Sequence, residues 1–313
     1  MKDFKSKFDL EEKEAEFFLG AGIIQDESCA IHLDSSKYVR EMLVKYDMDR
    51  AVYSPPPMPA GTIVYMPSDN EESDDKHTNL FQQITGSILS CSLMLSELQF
   101  YAAQLCKVMS RPTKEHMGLA RQVLMYLKGT VNRLTFRPVG CDGFTEINVS
   151  LMSFSDSSWA CAVGTRRFHG CHLVMFAGAA IAWRSNTQES VMLSTAAAEY
   201  YEGSEACREI AFVRGILEDF YETKLPPTPL YIDNTAAIAM GKLPQFTERQ
   251  KHIPIRICHL KECAADGLID LQPILTRHEL AHISTKALAS PCFQRLKEEL
   301  LGKVRFTDLL SYH

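Results

Sequence analysis

The apolar positions of this chain follow three successive regimes. In the first, over residues 1–52, they form short clusters that read as a small α/β unit. Phe17-Phe18-Leu19-Gly20-Ala21-Gly22-Ile23-Ile24 is an apolar strand interrupted by glycines, and Ala30-Ile31-His32-Leu33 is a second short strand. Ser35-Ser36 can cap a helix from Lys37 to about Tyr46, with Tyr38, Met42 and Leu43 or Tyr46 on its inner face. Prolines at 55–57 and 59 then stop regular structure, and the polar, acidic run at 67–77 reads as an exposed linker. In the second regime, 78–129, the spacing is helical. Leu80 to Leu95 is apolar with small residues, and Leu98, Ala102, Leu105 and Met109 form a second stripe that ends before Pro112. Thr113 can cap a third helix, with His116 or Met117, Ala120, Val123 or Leu124, and Leu127 inward, closed by Gly129.

From about 133 the third regime is strand-like. The run Thr145 to Phe154 leads into Asp156, and Cys171–Phe176 and Ala179–Trp183 follow at intervals that suit an antiparallel meander. A long helix is expected from about Val191 to Tyr221. Its positions 192, 196, 199, 203, 206, 210, 213, 217 and 220 alternate by four and three and form one buried stripe, in which Glu199 is the single charged member. A strand at Leu230-Tyr231-Ile232 ends in Asp233-Asn234. A helix over Ala236–Met240, another over 254–265, a strand at Leu268–Leu271 and a terminal helix over 279–300 complete a mixed α/β order.

Bulk properties narrow the class. A chain of 313 residues has room for about two domains, and 46% hydrophobic with 23% charged residues is the composition of a soluble globular protein. No apolar run approaches the roughly 18 residues of a membrane span, and Met1-Lys2-Asp3-Phe4 runs into acids rather than a secretory core. The ten cysteines include no Cys-x-x-Cys pair and read as reduced, mostly buried thiols of an intracellular protein, cytoplasmic or nuclear. A zinc set of His252, Cys258, His259 and Cys263 matches no familiar ligand spacing. The net charge of −6 argues against strong non-specific nucleic-acid binding; residues 1–150 hold 21 acidic against 16 basic side chains, and the remainder is nearly balanced.

Three acids arrive from three separate elements: Asp156, Glu199 and Asp233. Singly, each has a plain reading. Asp156 suits an Asx turn, Asp233-Asn234 a helix cap, and Glu199 a buried salt bridge. Together they can converge on one point and hold hard divalent ions, magnesium or manganese, through oxygen ligands at a phosphodiester. His278-Glu279-Leu280-Ala281-His282 fits the His-Glu-x-x-His pattern of zinc peptidases, which requires a helix beneath both imidazoles and a third ligand. Trp159 and Trp183 read as core residues rather than stacking platforms.

Several strings carry a family resemblance. Ser153 to Ala160, Ala180-Ile181-Ala182-Trp183, Val191 to Tyr201, Tyr231-Ile232-Asp233-Asn234, Lys251-His252-Ile253 and Ser284-Thr285-Lys286 together resemble the RNase H domain of copia-type LTR retrotransposon Pol polyproteins. Upstream, Met109 to His116 and Leu124 to Thr130 resemble the connection between polymerase and RNase H, and Glu16 to Gly20 with Lys37-Tyr38 the end of the reverse transcriptase.

The resemblance implies an RNase H-like mixed five-stranded sheet with flanking helices, preceded by a smaller, helix-rich α/β thumb/connection region. It divides the chain into 1–66 as a palm/thumb remnant, 67–77 as the acidic linker, 78–132 as the helical connection and 133–313 as the RNase H-like domain. It implies two magnesium or manganese ions on Asp156, Glu199 and Asp233, cutting the RNA strand of an RNA–DNA hybrid. The family's fourth acid falls at His282, an imidazole in its place, expected to assist at best. Arg166, Arg167, Arg249, Lys251, His252 and Arg256 are the candidate contacts to hybrid phosphates. The Tyr-x-Asp-Asp hairpin of a polymerase would precede residue 1, so the chain by itself is not expected to polymerise; the rest of a Pol polyprotein is its expected partner. The replacement at 282 leaves two functions open: an active ribonuclease, or a catalytically decayed remnant that keeps the fold and binds nucleic acid or protein.

Overall fold

A computed structural model of the chain describes residues 16–18, 20–67, 74–130, 133–137, 151–159, 167–242 and 255–302. The first apolar clusters form an antiparallel ribbon of β1 (Phe17–Phe18), β2 (Ala21–Gln25) and β3 (Ile31–Asp34). Gly20, at φ +85°, makes the turn that splits the single expected strand into β1 and β2. Helix α1 (Ser36–Lys45) follows. Its start is held by Asp34, whose Oδ1 accepts the Ser36 N–H at 2.8 Å, while Ser35 makes no side-chain cap. The fourth strand of this sheet is β4 (Arg133–Phe136), where the strand-like pattern begins. It pairs with β3 in register Asp34↔Arg133, and the two side chains form an ion pair at 2.6 Å.

The helical stretch is α2 (Asp75–Ser92), a 3₁₀ turn at Ser96–Leu98, α3 (Gln99–Cys106) and α4 (Lys114–Gly129). Thr113 starts α4 as expected: its hydroxyl accepts the His116 N–H at 3.3 Å, and His116 Nδ1 accepts the Thr113 N–H at 3.1 Å.

The second sheet is five-stranded and mixed, with flanking helices, consistent with an RNase H-like fold. Its strands are β5 (Met152–Ser158), β6 (His169–Phe176), β7 (Ala179–Thr187), β8 (Thr228–Ile232) and β9 (Ile269–Pro273), in the order β7-β6-β5-β8-β9. The meander β5-β6-β7 is antiparallel, whereas β5–β8 and β8–β9 are parallel. Between β7 and β8 runs α5 (Thr195–Tyr221), which begins later than the apolar pattern suggests. Ser194 holds an extended backbone, and its hydroxyl accepts the Ala197 N–H at 3.1 Å; Val191 and Leu193 are left exposed before it. The expected stripe is buried at Glu199, Gly203, Ala206, Ile210 and Val213. It then leaves the sheet, with Phe220 76% exposed.

Helices α6 (Thr235–Lys242) and α7 (Ile255–Ala265) pack with α5 on one side of the sheet. The expected helix over 279–300 is broken. Leu280–Ser284 is a 3₁₀ turn capped by Glu279, and α8 (Ser290–Leu300) starts only at Ser290, since Pro291 supplies no N–H and suits a first turn.

The core ties these parts together. Phe154, Cys171 and Leu173 of the sheet share one apolar cluster with Ile84, Phe100, Tyr101 and Tyr126 of the helical stretch and with Leu280, Ile283 and Phe293. Phe293 is fully buried, edge-on to Tyr101 at 6.2 Å and to Tyr126 at 5.4 Å. Among the described residues no helix is long and apolar enough to cross a membrane. The cysteines at 91, 171, 207 and 263 are buried free thiols, whereas Cys29 is exposed.

Phe293→Ala is expected to lose about 3–5 kcal/mol in urea unfolding; a loss below about 1 kcal/mol would show that the helical stretch and the sheet do not share a core. A second expectation concerns pH. Burial, with Lys107 adding to it, pushes the His169 imidazole down to about 3, and its Nε2 lies 2.8 Å from the Ser185 hydroxyl. The unfolded imidazole takes up its proton near 6.5 while the folded one resists it, so stability falls as pH drops from 6.5 towards about 3. Wild-type protein should lose more unfolding free energy than His169→Gln between about pH 7 and about pH 5; equal losses would remove His169 from the account.

Candidate functional site

The register of the sheet builds the site. β5 and β8 are parallel and pair Phe154 with Tyr231, so Asp156 and Asp233 each stand two residues further along adjacent strands. Asp156 lies inside β5, opposite Cys171 of β6, and is 2% exposed; the turn alternative for it fails. Asp233 follows the last residue of β8. The cap of α6 is Asn234, whose Oδ1 accepts the Ala236 and Ala237 N–H groups at 3.1 Å each, which leaves Asp233 to face Asp156.

The segment after β9 closes the site. His282 Nε2 is 3.5 Å from Asp156 Oδ1 and 3.4 Å from Asp233 Oδ2. The Thr285 hydroxyl donates to Asp156 Oδ2, and Lys286 Nζ stands 3.9 Å from the same oxygen. One donor atom each from Asp156, Asp233 and His282 fall within 4.8 Å of one another. Glu199, on the first turns of α5, is not one of this trio but lies within electrostatic range of both aspartates. Its carboxyl accepts the Ser157 N–H, and its Oε2 is buried with no hydrogen-bond partner among the described residues.

The charges explain one another. Burial alone would raise Asp156, but the His282 hydrogen bond and the His282 and Lys286 charges hold its carboxyl below the usual carboxylate range. Burial likewise opposes the His282 cation, yet the two aspartates push its imidazole up to about 10. Burial first, then Asp156 and Asp233, push Glu199 up to about 11. The trio is a pair of carboxylates with an imidazole between them, and burial and the two aspartates make the Glu199 carboxyl hold its proton more tightly.

The other candidates stand differently. The zinc-peptidase pattern is not built: His278 and His282 lie in separate 3₁₀ turns, with Glu279 extended between them, and His278 Nε2 accepts from Arg277 Nε at 3.0 Å. Of the cysteine–histidine set, Cys263 Sγ is 3.4 Å from His259 Nε2 on α7, and His252 and the Cys258 side chain lie outside the described residues. Arg167 is exposed ahead of β6. Arg166, Arg249, Lys251, His252 and the Arg256 side chain lie outside the described residues. Trp159 is not a core residue: β5 ends at Ser158, and the indole is 48% exposed, edge-on to Phe168 at 4.8 Å. Trp183 is partly buried, its Nε1–H donating to the Ser92 carbonyl at 3.0 Å.

Periodicity passed over Glu202, one turn beyond Glu199. It is buried against His172 Nδ1 at 2.7 Å, where a Cβ on Gly170 would lie 1.9 Å from its carboxylate. It also passed over Thr285 and Lys286, whose only signal was membership of the Ser284-Thr285-Lys286 string.

Comparison with known proteins places the chain by descent. It is 24% identical over 270 residues to the retrovirus-related Pol polyprotein from transposon RE1 of Arabidopsis thaliana, covering 86% of this chain and 18% of that protein. It is 25% identical over 303 residues to that from transposon TNT 1-94 of Nicotiana tabacum, covering 95% and 22%. The RE2 polyprotein of Arabidopsis thaliana is 24% identical over 270 residues, covering 86% and 18%. No family model and no solved structure matches. The chain is a retrotransposon-derived α/β protein. These three homologues are named as Pol polyproteins of copia-type transposons. It spans 18–22% of the length of these relatives.

Replacing Thr285 by Val should cost about 1–3 kcal/mol in thermal or urea unfolding, because Asp156 Oδ2 loses a buried donor. An unchanged midpoint would mean that the hydroxyl does not support Asp156.

Proposed function

We propose that this chain carries an RNase H-like nuclease unit, formed by 133–313 behind palm/thumb and connection segments, that hydrolyses the RNA strand of an RNA–DNA hybrid. The observation that carries the reading is the convergence of Asp156 and Asp233 from adjacent parallel strands on one point, with Glu199 beside them. The donor set suits hard divalent ions: it is rich in carboxylate oxygens, and Glu199 Oε2 is buried without a hydrogen bond to any described residue. A pair of magnesium or manganese ions held by Asp156, Glu199 and Asp233 would supply an activated water and stabilise the leaving oxygen at a phosphodiester.

The chain's own groups do the rest. Thr285 orients Asp156 through its hydroxyl, and Lys286, a third exposed, is a cation at the edge of the site for a phosphate oxygen. His282 fills the space between the aspartates with positive charge and can carry a proton there. Arg167 and the basic residues at 166, 249, 251, 252 and 256 are the proposed contacts along the hybrid backbone.

A second reading, a decayed remnant that binds without cutting, is favoured by one specific feature. The His282 imidazolium takes the place between Asp156 and Asp233 where a cation would be held. One assay separates the two. With magnesium or manganese, the protein should cleave a labelled RNA–DNA hybrid, and Asp156→Asn should reduce the rate by about a hundredfold or more. Wild-type cleavage no higher than that of Asp156→Asn would leave the remnant reading alone standing.

A further inference from the structure

The outward face of α5 carries an apolar stripe that the fold does not use. Over the second half of the helix the exposed positions include Arg208, Phe212, Gly215, Ile216, Asp219 and Phe220, all on one side. Phe212 is 65% exposed and Ile216 54%. With Phe220 they present three large apolar side chains at one-turn spacing, which nothing among the described residues covers.

Gly215 is the unexpected member of this face. A glycine inside a helix weakens it relative to alanine. Earlier in α5 that weakness has a visible reason: a Cβ on Gly203 would stand 3.3 Å from Ile232 and 3.4 Å from Leu260. A Cβ on Gly215 would meet nothing within 4 Å. The dip that Gly215 leaves beside Phe212 is open in the single chain.

Arg208, Phe212, Gly215 and Asp219 are spaced four, three and four apart, the alternation by which one helix meets another along a seam. Run backwards, this seam complements itself. An antiparallel copy centred between Val213 and Arg214 puts Phe212 opposite the partner's Gly215, and Arg208 opposite the partner's Asp219. The two-fold axis repeats both pairings. A phenyl ring then enters the space that a side chain at 215 would fill, and a cation meets an anion at each end. Arg208 already contacts Glu205 at 3.3 Å, but its side chain is 67% exposed, so the guanidinium can serve both carboxylates. A parallel copy in register would instead set like charges together and glycine against glycine.

We propose that this face of α5 is a homodimer surface on which a second copy of the chain docks antiparallel, Phe212 over Gly215 and Arg208 against Asp219. The seam is about three turns long, short of the roughly 1,200 Å² that a stable interface buries. Association is therefore weak and reversible, with a Kd on the order of 10–100 µM. Glu199 lies roughly four turns up the helix from the crossing, so the proposal is independent of the acidic site.

The test is sedimentation of the full chain from about 1 to about 200 µM. A reductant is present because Cys29 is an exposed thiol. The mass should rise from the monomer's 35.3 kDa towards twice that value. Phe212→Lys should weaken association by about tenfold or more. Gly215→Leu should do the same while the thermal midpoint of the dilute monomer holds or rises, because leucine suits a helix better than glycine. That opposite response separates lost docking from a damaged fold. Arg208→Asp and Asp219→Arg should each weaken association by about threefold or more, and the two together should return it to within about twofold of wild type. A wild type that keeps its monomer mass across the range overturns the inference. So do dimers that survive Phe212→Lys and Gly215→Leu, assemblies larger than two, or a double charge reversal that fails to rescue.

Discussion

The parallel pairing of β5 with β8 is the constraint on which the site depends. It brings two carboxylates together at the ends of adjacent strands, where neither water nor backbone can neutralise both. Everything nearby answers that charge. A hydroxyl from Thr285, an imidazolium from His282 and an ammonium from Lys286 all come from the one segment after β9. That segment also packs Leu280 and Ile283 into the core shared with Phe154 and Phe293. The charge-compensating turn is therefore anchored by apolar burial, and its polar side chains face the site from a fixed backbone.

The same economy governs the opposite side of the sheet. Gly203 and Gly241 admit close approach, the first against Ile232 and Leu260, the second against Leu271, so α5, α6 and α7 settle near the strands. α5 then carries Glu199 to the edge of the two aspartates while burying Ile210 and Val213 further along. The apolar part of the helix supplies the stability that a buried acid withdraws. This division explains why Glu199 can remain in an otherwise apolar stripe.

Much of the chain was legible from periodicity. The meander, the long helix, the strand ending at Asp233, the Thr113 cap and the mixed α/β order follow from local spacing, which neighbouring residues impose on one another, whereas the five-stranded RNase H-like class rests on the family resemblance. The errors share a cause, since each concerned a competition between neighbours. Ser194 rather than Val191 starts α5, Asp34 rather than Ser35 holds α1, and Pro291 together with the Glu279 cap divides the last helix. Trp159 reads as a core residue in the sequence, yet one residue past the strand end is enough to expose it.

What the sequence by itself determined is the set of acids and the elements that bear them: Asp156 at the end of a strand-like run, Glu199 on a buried helical stripe, Asp233 at a strand end, and an imidazole at 282. Tertiary structure decided what those groups are to one another. The β5–β8 register made Asp156 and Asp233 neighbours, and the 3₁₀ turn put His282 between them. Asn234, not Asp233, took the helix cap. Local propensity acts over a few residues, whereas a carboxyl's partners are chosen by strand pairing and burial between positions more than a hundred residues apart, such as Asp156 and Thr285. Residue 282 is legible in the sequence only as an imidazole, and the fold alone shows that it stands between Asp156 and Asp233.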